Sequence, residues 1–452
     1  MTDVGVAIVG GGMAGLACAR HLLEQSETIR VVILEAADVM GGRVIAGEDG
    51  LDLGAEFVHG HGTLLTQWIE HYLPDCRLDP LFTLSHADGG GCPDPEPTED
   101  GMYGMYFVDG SLRPADDPFV KQLSDALVTV LESDDEPRES LGEALEGYDL
   151  PQSLIALARA SYGNTAGCSD LYQLSLPTLQ KFEHYWEEHE VEGDSRPSTG
   201  LSALVTACLS DLHARFPERF HVQTTWEVAE LCVDEDNHVE VRSTQGSSMT
   251  AGRVVVTVPS PLWSTIDFTP PLPTEKIEAA SYIGFERAIK SIFVLKDRCW
   301  PEKLQNVIGG DLIMPEMWFR TLGSNFVSVG YMVSEAANLF HQSLKGYDEE
   351  HRRIEARRIH IAQLATVFEV DESSLEENAV SYHYFDWVEH RPSIGGGYMY
   401  PRVGMRISHL ETLAEAHGPI HFVGEATHTK ACCTVQAALE SGVRAANEIL
   451  LE

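Results

Sequence analysis

Basic residues are scarce in this chain. Its 452 residues carry 31 lysines and arginines against 70 aspartates and glutamates, a formal net charge of −39 at pH 7. Such a surface repels phosphates, so nucleic acid is not an expected partner. The acidity either attracts a polycationic substrate or serves solubility. Its spread along the chain favours solubility for most of it. No apolar run is long enough to cross a bilayer, so no membrane partner is expected. Met1-Thr2-Asp3 leads into Val4–Val9 with no basic segment and no small-residue cleavage site. No secretory signal is expected there, and Leu450-Leu451-Glu452 is neither a peroxisomal nor a retention signal. The nine cysteines are odd in number and lack zinc-ligand spacing. Reduced thiols in a cytoplasmic protein are the expectation. The adjacent Cys432 and Cys433 read as small residues in a tight turn rather than a redox switch. There is no internal repeat, no metal site and no nucleophile triad.

What is present begins at residue 4. Val4–Val9 is a short apolar run that reads as a buried parallel strand. Gly10-x-Gly12-x-x-Gly15 follows, with Ala14 inside it. Leu16, Ala19, Leu22 and Leu23 mark a helix face, and Val31–Leu34 reads as a second buried strand. This is a β-α-β unit with glycines where a turn must let a pyrophosphate approach the helix N-terminus. Glu35, at the end of the second strand, is placed to accept ribose hydroxyls. Gly41-Gly42-Arg43 adds an arginine able to reach back to the pyrophosphate with a charge-assisted fork. A chain of this length calls for two domains.

Further along, helical patterns cover Leu64–Tyr72, Phe119–Leu131 and segments up to about residue 190. Asp88–Gly104 reads as a flexible loop, and Gly193–Gly200 as a linker. The acidic runs Asp94–Asp100, Glu132–Glu136, Glu187–Asp194 and Glu369–Glu377 read as solvated loops and helix ends. Leu201–Leu212 is a helix, and Phe220–Val258 is strand-rich. Arg287–Leu295 and Phe326–Met332 are strands, His351–Phe368 a helix, Ile420–Val423 a strand and Thr434–Leu451 a closing helix. Both ends look nucleotide-binding and the middle looks like a second domain.

These residues resemble the flavin amine oxidase family of polyamine oxidases, monoamine oxidases and histone lysine demethylases. The likeness is carried by Glu35 with Gly41-Gly42-Arg43, by Gly54-Ala55-Glu56-Phe57-Val58-His59-Gly60, and by Gly424-Glu425-Ala426-Thr427. It covers nearly the whole chain and is weakest over residues 75–200. The resemblance implies an α/β fold, with a Rossmann-type FAD-binding domain and an inserted α+β substrate-binding domain. Residues 1–75, 198–285 and 390–452 would form the first, and 76–197 and 286–389 the second. It also implies non-covalent FAD, because Gly397 stands where monoamine oxidases carry a flavin-linked cysteine. Gly10, Gly12, Ala14, Gly15, Glu35, Gly42 and Arg43 would hold the dinucleotide, with a backbone group at Val228 meeting the adenine. Glu425 would bind the ribityl-phosphate part. Ala55, Glu56, Phe57, Thr434 and Val435 would lie beside the flavin. Trp387 would pack near it or simply be a core tryptophan.

The same resemblance points to three catalytic candidates. Lys290 shares a strand face with Ala288, Ile292 and Val294. A buried ammonium there has a depressed pKa and, by the family likeness, would hold a water at flavin N5 for reaction with oxygen. The alternative is a lysine snorkelling at a strand end. Tyr398 would be an aromatic wall guiding the amine. Thr434 stands where monoamine oxidases carry a second tyrosine, which favours the polyamine oxidase branch. His59 would hydrogen-bond a substrate nitrogen, or be a structural histidine. Acidic residues of the Phe182–Glu190 helix could bind a distal ammonium. The expected reaction passes a hydride from the carbon of a small amine to the flavin, with O2 as final acceptor and an aldehyde and H2O2 as products. A desaturase or protoporphyrinogen-oxidase-like enzyme is the rival on the same fold, and a non-catalytic flavin-fold binding protein is the rival of another class. The chain leaves no room for a demethylase's extra helical modules, though its acidity would suit a peptide amine.

Overall fold

A computed structural model describes residues 3–47, 50–82, 101–133, 138–188, 193–390, 396–430 and 432–452. The β-α-β unit forms as the sequence predicts: β1 (Asp3–Val9), α1 (Met13–Gln25) and β2 (Val31–Leu34). β1 runs parallel to β2, with Val6 opposite Val31 and Val9 opposite Leu34, and parallel to Ser248–Val256 on its other side. These strands need no polar face, because helices cover one side and a second apolar layer the other. The sheet has eight strands. Phe220–Gln223 extends it beyond β2, while Val228–Val233, Val239–Ser243, Asp267–Thr269 and Ile420–Phe422 complete the other half.

The closing helix Val435–Leu451 returns to this sheet and packs on α1. Leu16, Leu22, Leu439 and Ala445 are all buried between them. The helices approach so closely that a Cβ on Gly442 would lie 2.2 Å from the Ala14 carbonyl oxygen. The two ends of the chain are thereby joined in one layer.

A second, seven-stranded sheet draws on Tyr103–Val108, Ser111–Pro114, Ala288–Leu295, Leu304–Gly309, Glu316–Leu322, Asn325–Val333 and Ala379–Asp386. The helix Glu349–Phe368 covers one face through Ile361 and Leu364 against Ile289 and Phe293. The opposite face of the same strand, with Ile292 and Val294, meets Leu51 and Trp318.

Three sequence expectations are corrected. The Gly193–Gly200 stretch is no linker. Asp194–Pro197 is a fully buried strand, the centre of a three-stranded sheet between Val58–His59 and Leu78–Leu81. Its charged side chains are buried because each meets an opposite charge: Asp194 faces His59, and Arg196 faces Glu56. Glycine, proline and serine around it imitate a loop. Asp194 is therefore also not a solvated end of the acidic run Glu187–Asp194. The Asp88–Gly104 loop lies outside the described residues as far as position 100, and its end, Tyr103-Gly104, opens a strand. The run Asp94–Asp100 also lies outside them, while Glu369–Glu377 is mostly exposed, as expected.

Candidate cofactor and substrate cleft

One cavity of about 990 Å³ runs from the glycine turn to the second sheet. That is the upper end of the usual range for ligand sites. Gly10, Gly12, Ala14, Glu35, Gly42 and Arg43 line one end. Gly15 lies one turn behind, where a Cβ would sit 2.4 Å from the Gly10 carbonyl oxygen. Its lack of a side chain is what lets α1 rest on β1. Gly12 caps α1 without any side-chain hydrogen bond, leaving the first amides of the helix to an anion. Glu35 is buried, and its two carboxylate oxygens accept the Gly11 and Ala37 amides at 2.6 and 2.8 Å. Burial raises its pKa. Each oxygen keeps a lone pair for a hydroxyl donor.

Arg43 turns inward rather than to solvent. Its guanidinium donates to Glu425 Oε1 at 2.8 Å and to the Gly397 carbonyl at 3.0 Å. The first contact ties the Gly41-Gly42-Arg43 turn to the C-terminal segment. The Cys433 amide donates to the other Glu425 oxygen at 3.3 Å. Thr434 caps the last helix through its hydroxyl, which accepts the Ala437 amide at 3.0 Å. Cys432 and Cys433 form the turn before it, with Cys433 at φ 71°. Val435, Val228 and Trp387 also line the cleft. Trp387 donates to the Leu53 carbonyl at 3.2 Å. Its ring leaves no space at residue 54, where a Cβ would meet Trp387 Cζ2 at 2.9 Å and the Arg43 carbonyl oxygen at 1.9 Å. The chain at Gly54-Ala55 is thus pressed flat against the cleft wall.

Lys290 is buried, not snorkelling. Its ammonium donates to Glu56 Oε2 at 2.7 Å and to the Asp52 carbonyl at 3.3 Å, and both Lys290 and Glu56 line the cleft. The other Glu56 oxygen faces Arg196 Nε at 2.8 Å and Arg320 Nη1 at 3.6 Å. Burial alone would raise the Glu56 pKa, but Lys290, Arg196 and Arg320 outweigh it and hold the carboxyl well below the usual range. Phe57 stands beside this group, edge-on to Trp318 at 4.8 Å.

His59 keeps about a third of its side chain open, and its Nδ1 lies 2.6 Å from Asp194 Oδ1. Burial would lower the imidazole pKa, but the Asp194 charge wins and raises it. Tyr398 lines the cleft and donates to the Thr165 carbonyl at 2.8 Å. Burial, then Tyr331, lifts its phenol well above the ordinary value, so it stays neutral.

All three catalytic candidates line this cleft, but sequence reasoning missed several of its neighbours. Asp194, Arg196 and Arg320 went unassigned. Glu183, in the helix Leu176–Glu188, is buried and accepts the Tyr162 hydroxyl at 2.9 Å. It is the cleft-lining acid of that helix among the described residues, a choice the sequence left open. Glu316 is buried too, held by Asn164 at 2.6 Å and Trp318 Nε1 at 2.9 Å, and burial raises its pKa. Nothing in the sequence around it announced a cleft residue.

An open helix N-terminus, a buried acceptor at the second strand and a long cleft closed by both chain ends fit a flavin dinucleotide. Known proteins point the same way. Residues 13–450 match the family described as flavin containing amine oxidoreductase. The chain is 24% identical to human lysine-specific histone demethylase 2, over 98% of this chain and 53% of that protein, so it spans about half that relative's length. It is 26% identical to human peroxisomal N(1)-acetyl-spermine/spermidine oxidase, over 98% and 94% of the two chains. In fold it is similar to wild-type putrescine oxidase bound to putrescine, with a TM-score of 0.77, 18% identity and full coverage of both chains.

Proposed function

Since this chain belongs to the flavin-containing amine oxidoreductases, and is thus an FAD-dependent enzyme acting on amines, we propose that its substrate is a small polyamine or diamine and its electron acceptor O2. The supporting observation is the substrate end of the cleft. Glu183, Glu316 and Asp194 line it together with Tyr162, Tyr331, Tyr398 and Trp318. Buried carboxylates and neutral rings suit ammonium groups on an aliphatic chain. A second ammonium would find more acceptor oxygen at this end than a monoamine uses.

FAD, when bound, would supply the hydride acceptor and the route for electrons to oxygen. The chain does the rest. The amides at the start of α1 hold the pyrophosphate, Glu35 the ribose, and Arg43 with Glu425 the flavin-side phosphate and ribityl chain. Val228 meets the adenine through its backbone. Ala55, Glu56, Phe57, Trp387, Thr434 and Val435 surround the ring system. Gly397 offers no sulfur, so the cofactor is held non-covalently. Tyr398 is a wall of the amine channel. His59, oriented by Asp194, accepts a hydrogen bond from the substrate nitrogen or gives one to it. Glu183 takes the distal ammonium. The reacting nitrogen is neutral, so its lone pair supports loss of hydride from the adjacent carbon. The resulting imine hydrolyses to an aldehyde and an amine, and O2 leaves as H2O2. Lys290 orders a water at the reacting edge for that second half. The first sheet and α1 form the cofactor domain (1–75, 198–285, 390–452), and the second sheet forms the substrate domain (76–197, 286–389).

A peroxide-coupled screen of putrescine, spermidine, spermine, their acetyl forms, monoamines and amino acids tests this reading. Peroxide from compounds with two or more nitrogens is the expected result. A yellow protein giving peroxide with none of them would move the assignment to a desaturase. A colourless protein that takes up no FAD would move it to a binding protein.

A further inference from the structure

Four elements bring a surplus of positive charge behind the cleft. Lys290 comes from Ala288–Leu295, Arg196 from Asp194–Pro197, Arg320 from Glu316–Leu322, and Glu56 from the segment before Val58–His59. One carboxylate serves three cations, and among the described residues none of the three has another ion-pair partner. The nearby Asp52 carboxylate accepts the Leu201 and Ser202 amides at 3.1 and 3.2 Å and offsets part of this charge from beyond ion-pair distance, while Glu316 is held by Asn164 and Trp318. Arg196 is 7% exposed, and its Nη2, like Arg320 Nε, is buried with no hydrogen-bond partner. An uncompensated buried cation is costly unless something anionic forms beside it. Neither arginine lines the cleft, whereas Lys290 and Glu56 do.

We propose that Arg196 and Arg320 are positioning residues for the oxygen half of the reaction. They hold Glu56 from behind, so that its single charge is shared and the Lys290 side of the cluster stays net positive toward the cleft. In that half O2 takes two electrons and two protons from the reduced cofactor and departs as H2O2. The first electron turns a neutral gas into an anion, and fixed positive charge in a water-poor site stabilises that anion. The amine half creates no such anion at this wall. The inference rests on the oxidase reading above and assigns two residues to one of its two halves.

The test uses flavin-loaded enzyme reduced by light without any amine, then mixed with oxygenated buffer. Arg196→Met and Arg320→Met are expected to slow reoxidation about tenfold each. Arg196→Lys, which keeps the charge, is expected to recover most of the rate. The midpoint potential of the bound flavin is expected to fall in the two Met variants and hold in the Lys variant. Arg320 is less buried than Arg196, so its variant serves if Arg196→Met does not fold. An oxygen rate unchanged in Arg320→Met, or an Arg196→Lys as slow as Arg196→Met, overturns the proposal. Photoreduction needs no substrate, so failure to turn over any amine would count against the proposed function alone.

Discussion

At the scale of single residues, the contact between His59 and Asp194 makes a testable link between charge and rate. Asp194 raises the imidazole pKa above its ordinary value. The attraction is complete below the unfolded value of about 6.5 and is lost as pH rises through the elevated value. A charged imidazole repels a substrate cation, so kcat/KM should climb as His59 loses its proton. Asp194→Asn is expected to move that acidic limb to lower pH. A limb that does not move would detach His59 from substrate binding. Glu183 makes the second link. Charge-assisted hydrogen bonds contribute about 1.5–3 kcal/mol, so Glu183→Gln is expected to raise KM for a diamine about tenfold or more, with a smaller change in kcat. Equal KM values would place the distal ammonium elsewhere. That Lys290, His59 and Tyr398 line one cleft was legible in the sequence because each sits in a segment with a recognisable family pattern. Arg196 and Arg320 were not. A charged residue in a polar or alternating stretch looks solvated until the folded chain brings its counter-ion, here Glu56 from more than a hundred positions away.

At the scale of elements, the glycine turn and α1 act as a unit. Gly15→Ala would force a Cβ to within 2.4 Å of the Gly10 carbonyl oxygen, a backbone atom that cannot swing away. Overpacking of this kind costs about 1–3 kcal/mol. It would lift α1 off β1 and spoil the amide cradle, so the variant is expected to purify with little FAD and unfold at lower temperature. Normal flavin content would show that α1 tolerates the shift. The nucleotide-binding strands and helices were legible from their apolar runs, since elements buried on both sides carry little else. Asp194–Pro197 was not, because its burial depends on ion pairs rather than on apolar side chains. The one-residue difference at the closing helix is a capping effect: Thr434 starts the helix from outside, through its side chain.

At the scale of the whole molecule, the chain's net charge of −39 surrounds a cleft that itself carries buried acids. If the surface charge draws in a cationic substrate, that pull weakens with screening, while the buried acids are screened far less. For a diamine, kcat/KM is expected to fall severalfold between low and physiological ionic strength while kcat holds. A salt-independent ratio would leave the acidity to solubility alone. No helix among the described residues is long and apolar enough to cross a membrane. The packing of both chain ends in one layer was readable from two nucleotide-like ends, but the cleft between the sheets was not, since it depends on how Ala288–Leu295 turns one face toward Leu51 and Trp318. The proposed oxidase activity depends on this cleft joining a flavin to an amine. Anaerobic addition of putrescine or spermidine to the flavin-loaded protein tests it most directly. Bleaching of the flavin absorbance, reversed by admitting oxygen, is the expected result. An oxidised spectrum that persists under saturating polyamine, in a protein whose flavin light can still reduce, would contradict it.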